Sequence, residues 1–124
     1  MPDPGSIRES MSRYVKFLCD SNVDGIMELF GENPTVEDPV GQPAVVGTDA
    51  VREFYARSTP ALRVELTGPI RVAGNECAMP MLAEIELGDR ILYIDVIDVM
   101  RFDELGKVVS MRAFWNPDEM RPSR

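Results

Sequence analysis

Two aspartates stand where an aspartate is unusual. Asp98 lies in Ile91-Leu92-Tyr93-Ile94-Asp95-Val96-Ile97-Asp98-Val99-Met100, a run that otherwise reads as an apolar strand. Side chains alternate along a strand, so Asp98 shares a face with Leu92, Ile94, Val96 and Met100, and Asp95 falls on the other. If Asp98 faces an apolar pocket with no cation beside it, desolvation raises its pKa, and a neutral acid able to donate a hydrogen bond remains at pH 7. Asp95 reads more simply, as a charge facing solvent or paired with Arg90, Arg101 or Arg112. Asp38 has a different setting, Thr35-Val36-Glu37-Asp38-Pro39-Val40-Gly41-Gln42-Pro43, where prolines stiffen the chain. The plainer reading is a turn starter, since Asp-Pro commonly opens turns. The functional reading is a general base held by rigid flanks at a pocket mouth. A carboxylate and a carboxylic acid in one site would supply a base and an electrophile together.

The chain contains no histidine. That removes Ser-His-Asp and Cys-His arrangements and His-ligated metal sites, and leaves acid–base work to carboxylates, phenols, thiols and lysines. Tyr14 and Tyr55 fall on the apolar faces of two expected helices, where a buried phenol needs a hydrogen-bond partner. Ordinary core packing accounts for both; alternatively Tyr14 is an oxyanion donor and Tyr55 its support. Trp115 closes a strand, and either packs in the core or orients a carboxylate with its indole N–H. Phe30, Phe54, Met79, Met81, Met111 and Phe114, with Val96 on the Asp98 face, either line an apolar cavity or fill a plain core.

The elements that must position these residues can be read from periodicity. Ser6 with Glu9 three residues on suggests a capping box, preceded by a frayed leader over residues 1–5. Ile7, Met11, Tyr14, Val15 and Leu18 then share a helical face. A turn over Asp20 to Asn22 leads to a second helix with Val23, Ile26, Met27 and Phe30 on one face, stopped by Gly31. A short strand ends in the rigid loop around Asp38. A third helix, capped by Thr48 or Asp49, carries Val51, Phe54 and Tyr55 and ends before Pro60. Four strand-like stretches follow: Arg63 to Val72, Ala78 to Leu87, Arg90 to Phe102 and Val108 to Trp115. Turn residues separate them, and Gly68-Pro69 marks a bend or edge in the first. Residues 117–124 read as a loosely held tail. Three helices followed by a mostly antiparallel meander define an α+β class, whose curved sheet can enclose a deep apolar pocket.

A length of 124 residues fits a single domain spanning 1–124. The net charge of −8, from 13 basic and 21 acidic residues, argues against nucleic acid or an anionic membrane as partner. No apolar run approaches the roughly 20 residues of a membrane span, and the start lacks the pattern of a signal peptide. Cys19 and Cys77 match no metal or redox spacing and read as small buried hydrophobes in a reducing compartment. Together these point to the cytoplasm.

Several strings occur in one order and spacing: Tyr14, then Thr35-Val36-Glu37-Asp38-Pro39-Val40-Gly41, then Arg52-Glu53-Phe54-Tyr55-Ala56. After them come Asp95-Val96-Ile97-Asp98-Val99-Met100-Arg101-Phe102-Asp103-Glu104 and Ser110-Met111-Arg112-Ala113-Phe114-Trp115. This set resembles bacterial ketosteroid isomerase from about residue 10 to residue 116. The resemblance implies a conical α+β barrel of the nuclear-transport-factor-2-like (NTF2-like) type and a homodimer. It implies conversion of 3-oxo-Δ5-steroids to the conjugated 3-oxo-Δ4 isomers, without metal or organic cofactor. By position, Asp38 is similar to the family's general base, and Tyr14 and a protonated Asp98 to the oxyanion hole. Tyr55 and Trp115 are similar to the supporting network. Phe54, Met81, Val96 and Met111 would contact substrate. Phe30 replaces a tyrosine, and Met81 a phenylalanine, that some members carry. Other readings on the same fold are a polyketide cyclase-like or epoxide-hydrolase-like enzyme, or a module that only binds an apolar ligand. An epoxide hydrolase needs polar groups that position a water, and no arginine-centred set is evident on the expected pocket faces.

Overall fold

Ile7, Met11, Tyr14 and Leu18 are all buried, on one face of helix α1 (Pro4–Cys19). The structure, a computed structural model, describes residues 2–124. Helix α1 starts earlier than the capping-box reading predicts. Asp3 is the cap, accepting from the Ser6 backbone N–H at 3.1 Å, and Pro4 occupies the first turn. Proline is pre-set for that position because it has no N–H to satisfy there, so Asp3-Pro4 outcompetes Ser6, and Pro4 and Gly5 of the expected leader are helical. A turn with Ser21 at φ 53° leads to α2 (Val23–Glu28), capped by Asn22 as expected. Phe30 does not extend that helix. It opens strand β1 (Phe30–Glu37), pairing with Val108, because Leu29 already ends the helical hydrogen bonding.

Strand β1 is longer than its prolines suggest. Pro34 is tolerated where the register shifts between Phe30 and Thr35, with Asn33 at φ 49°. A two-residue strand β2 (Val45–Val46) pairs with it, unforeseen because two residues carry no periodicity. Helix α3 (Thr48–Ser58) buries Val51 and Tyr55, and a 3₁₀ turn over Thr59–Ala61 follows it. Gly47 occupies the cap position at φ 97°, where neither Thr48 nor Asp49 serves.

The expected single strand from Arg63 is two, β3 (Leu62–Leu66) and β4 (Arg71–Ala73), split at the Gly68-Pro69 bend. Both pair antiparallel with β5 (Glu76–Leu87), which pairs in turn with β6 (Arg90–Phe102), and β6 with β7 (Val108–Phe114). Among the described residues these form a seven-stranded sheet, in the order β2-β1-β7-β6-β5-β3 with β4 on β5. The three helices pack on its curved inner face. The sheet is not a pure meander: β1 lies parallel to β7, so the strand after the helical hairpin returns beside the last strand.

Three expectations are corrected by packing. Residues 117–124 are tied down: Tyr93 and Arg121 exchange two backbone hydrogen bonds, and Arg124 pairs with Glu65. Arg121 also takes Asp95 as its partner at 2.5 Å, so the tail supplies the cation expected from Arg90, Arg101 or Arg112. Cys77 is buried, but Cys19 is exposed, because it sits one residue past the buried face of α1. Among the described residues no helix is long and apolar enough to cross a membrane.

Candidate active site

The strand register explains how two aspartates 60 positions apart meet. Asp98 on β6 is paired with Ala113 on β7. On the other flank of β7, Glu37 of β1 is paired with Arg112, so Asp38, the next residue, arrives beside Ala113. The Val40 N–H donates to the Ala113 carbonyl at 2.8 Å and fastens the loop there. Two strand spacings therefore separate the aspartates' backbones, about 10 Å. Inward parity carries through: Val36, Asp98, Met100, Met111 and Ala113 all face the core.

Of these, Asp98, Met111 and Ala113 line one cavity of about 410 Å³, within the range of small-molecule sites. Tyr14, Asp38, Tyr55, Asp98 and Trp115 all line it, as do the expected Phe54, Met81, Val96 and Met111. Met79 is packed fully inside and Phe30 is buried against the Tyr55 ring, so both belong to the core rather than the wall. Phe114 points outward and is 42% exposed, since strand parity sets it opposite Ala113.

The two carboxyls have contrasting surroundings. Asp98 is 4% exposed, and among the described residues no protein donor or cation contacts its carboxyl. Burial, with a smaller contribution from the charge on Asp38, pushes its pKa up to about 8. It is therefore mainly neutral at pH 7, with an O–H to donate. Asp38 is half-buried, and the Trp115 indole N–H donates to its Oδ1 at 2.5 Å. Burial raises its pKa too, but the indole hydrogen bond pulls in the opposite direction. Parity made Asp98 legible in sequence; the Asp38–Trp115 contact, across 77 positions, depends on the β1–β7 pairing.

The phenols form a second unit. The Tyr14 and Tyr55 hydroxyls are 2.8 Å apart and both rings are buried. Tyr55 is fixed by edge-on contacts with Phe54, Phe30 and Tyr14, at centroid separations of 5.0, 5.7 and 6.1 Å. Burial holds both phenols well above their usual pKa, so they are neutral donors.

Sequence reasoning missed several wall residues. Leu18 lies one turn beyond Tyr14 on the same helical face, and Ala83 and Ile94 share parity with Met81 and Asp98; these signals were present. Arg57 and Ser58, at the end of α3, also line the cavity. No arginine-centred set is expected on the pocket faces, yet one arginine does reach the wall: Phe54, Tyr55, Arg57 and Ser58 of α3 all line the cavity, so its last turn contributes beyond the buried Val51 and Tyr55.

Three helices packed on a curved sheet around one apolar cavity define a class, and the chain belongs to it: the family model of the SnoaL-like domain matches residues 11–111. Within that class the chain is 35% identical over 115 residues to a Steroid Delta-isomerase of Nocardioides simplex, covering 92% of this chain and 93% of that protein. This bears out the resemblance to ketosteroid isomerase. Among solved structures, the epoxide hydrolase/cyclase-like enzyme SalBIII, described with a role in pyran ring formation in polyether salinomycin, matches with a TM-score of 0.91. It is 29% identical, over 99% of this chain and 100% of that one.

Proposed function

We propose that this chain is a steroid Δ-isomerase that converts 3-oxo-Δ5-steroids to 3-oxo-Δ4-steroids by moving one proton. The observation that carries the reading is the pairing, in one apolar cavity, of a neutral buried acid, Asp98, with an indole-bonded carboxylate, Asp38. Asp38 removes a proton from C4 of the steroid. Negative charge then develops on the C3 oxygen, and the hydroxyls of Tyr14 and Asp98 donate to it. Such donors act strongly in a dry cavity because they are already oriented and little water competes. The Tyr14 and Tyr55 hydroxyls are bonded at 2.8 Å and either can donate; with Tyr55 as the donor, the Tyr14 proton is left for substrate and Tyr14 is strengthened as a donor. Protonated Asp38 returns the same proton to C6, and the conjugated enone forms with no net consumption of acid or base. Trp115 steadies Asp38 in its charged form at the start and end of the cycle.

The homology to Steroid Delta-isomerase supports this substrate class. The test is ultraviolet absorbance after mixing a 3-oxo-Δ5-steroid with a trace of protein. Growth of the conjugated-enone band is expected, and a flat trace that persists at stoichiometric protein would sink the proposal. The same reading includes a homodimer. Ile97 and Phe114, paired across β6 and β7, expose apolar surface on the outer face of the sheet. Sedimentation at micromolar concentration should give twice the chain mass.

The likeness to SalBIII favours one second reading, a cyclase or epoxide-opening enzyme. There Asp98 would protonate an epoxide oxygen while Asp38 deprotonates the attacking hydroxyl. An epoxy-alcohol consumed while the steroid is untouched would favour it.

A further inference from the structure

The polar groups of the cavity wall fall into two sets. Tyr14, Tyr55, Asp38, Asp98 and Trp115 form one; Arg57 and Ser58 form the other, and the remaining wall is apolar. The strand register sets their separation. Asp98 is paired with Met79 on β5, and the inward positions that follow along β5 are Met81, Ala83 and Ile85. Ile85 is paired with Leu62, which follows Arg57, Ser58 and the Thr59–Ala61 turn. Six residues of strand from Met79 to Ile85 span about 20 Å, longer than a fused four-ring nucleus. A steroid held by its C3 oxygen at Asp98 and Tyr14 would therefore leave wall unfilled beyond its last ring, towards Ile85 and Leu62, the side from which the Thr59–Ala61 turn leads back to Ser58 and Arg57 at the end of α3.

Arg57 is exposed and has no carboxylate partner among the described residues, although the chain carries 21 acidic residues. The two carboxyls of the wall, Asp38 and Asp98, flank Ala113 on β7, and neither is bonded to Arg57 among the described residues. A guanidinium on an apolar wall, with a hydroxyl beside it, presents forked donors suited to a carboxylate.

We infer that Arg57 is a specificity-determining residue that selects steroids whose side chain, at the end remote from the 3-oxo group, terminates in a carboxylate. The inference rests on the isomerase reading for the orientation of the ligand. Arg57 accepts the carboxylate in its guanidinium fork, and Ser58 adds a hydroxyl donor. The apolar strip of Ala83, Ile85 and Leu62 covers the intervening chain.

The test compares a 3-oxo-Δ4-steroid bearing a carboxylate-terminated side chain with its methyl ester. Binding is read by the fluorescence of Trp115, the one tryptophan in the chain and part of the cavity wall. The acid is expected to bind about 10-fold more tightly than the ester, a modest figure because Arg57 is solvent-exposed. Arg57→Gln should bring the ratio close to one, and Arg57→Lys should keep part of it. The KM values of the corresponding Δ5 acid and ester should follow the same ratio. Equal binding of acid and ester by the unaltered protein overturns the inference. So does a ratio that Arg57→Gln leaves unchanged, even if the melting temperature drops, because Arg57 would then serve only the C-terminal end of α3. Binding needs no turnover. A ratio that depends on Arg57 in a protein that isomerises nothing supports recognition of the acid while refuting the isomerase reading.

Discussion

Asp38 and Asp98 are the same side chain in two environments, one on each flank of β7. Asp98 sits inside a long strand, where the ladder fixes its direction and apolar neighbours strip its water. Asp38 sits where β1 gives way to a loop, partly hydrated, with an indole N–H on one oxygen. The contrast teaches that chemical role is set by what surrounds the carboxyl: desolvation with no donor keeps a proton on, and a donor to the anion helps take it off.

The most forceful way to break this comparison is Asp38→Asn. Kinetics should record a loss of turnover on the order of 10⁴-fold, with steroid binding retained, because the base is gone while the cavity keeps its shape. Near-normal turnover would remove Asp38 from the role of base.

A second probe asks what Asp98 costs the fold. Its pKa is raised on folding from 3.8 to about 8. Its contribution to stability is therefore full below about pH 4 and is progressively lost as pH rises towards 8, since the unfolded chain ionises first. At pH 7 the penalty is roughly 4 kcal/mol. Asp98→Asn should stabilise the protein at pH 7, and the stability difference between variant and parent should vanish near pH 4. A difference that is flat in pH would mean that Asp98 is not desolvated.

The proposed oxyanion donors come next. Tyr14→Phe and Asp98→Ala should each lower turnover about 10²- to 10³-fold, whereas Asp98→Asn, which keeps an N–H donor, should lose far less. The pH profile of kcat/KM should be bell-shaped, with a basic limb near 8 from Asp98. Asp98→Asn should erase that limb. The smallest effect expected is that of Trp115→Phe, about 10-fold on kcat/KM at pH 7. Loss of the indole donor should also move the acidic limb upwards, because that hydrogen bond lowers the pKa of Asp38.

Much of the site was legible before the fold, and the reason is periodicity. Helical spacing put Tyr14 and Tyr55 inward, and period-two alternation separated Asp98 from Asp95 correctly. What periodicity cannot encode is which distant segments lie side by side. The parallel pairing of β1 with β7 joins residues 75 positions apart, and Asp38 reads as a turn residue until that pairing is known. Arg57 was missed because one strongly charged residue on a mostly polar helix looks like solvated surface, whichever wall it ends on. The tail was misjudged for a related reason: its polar residues find partners on Tyr93, Asp95 and Glu65, none of them near in sequence.

Ala113 lies between the two aspartates, and one strand's width on either side of it works as a gauge. A pair of carboxyls in contact would share one proton and titrate as a unit. Held apart across a strand, they sense each other only through space, and on the proposed isomerase reading one would cycle at every turnover while the other stays protonated. The smallness of Ala113 also leaves open ground between them, the gap that the flat ring edge of the proposed steroid substrate would cross to present its oxygen to one acid and its carbon to the other.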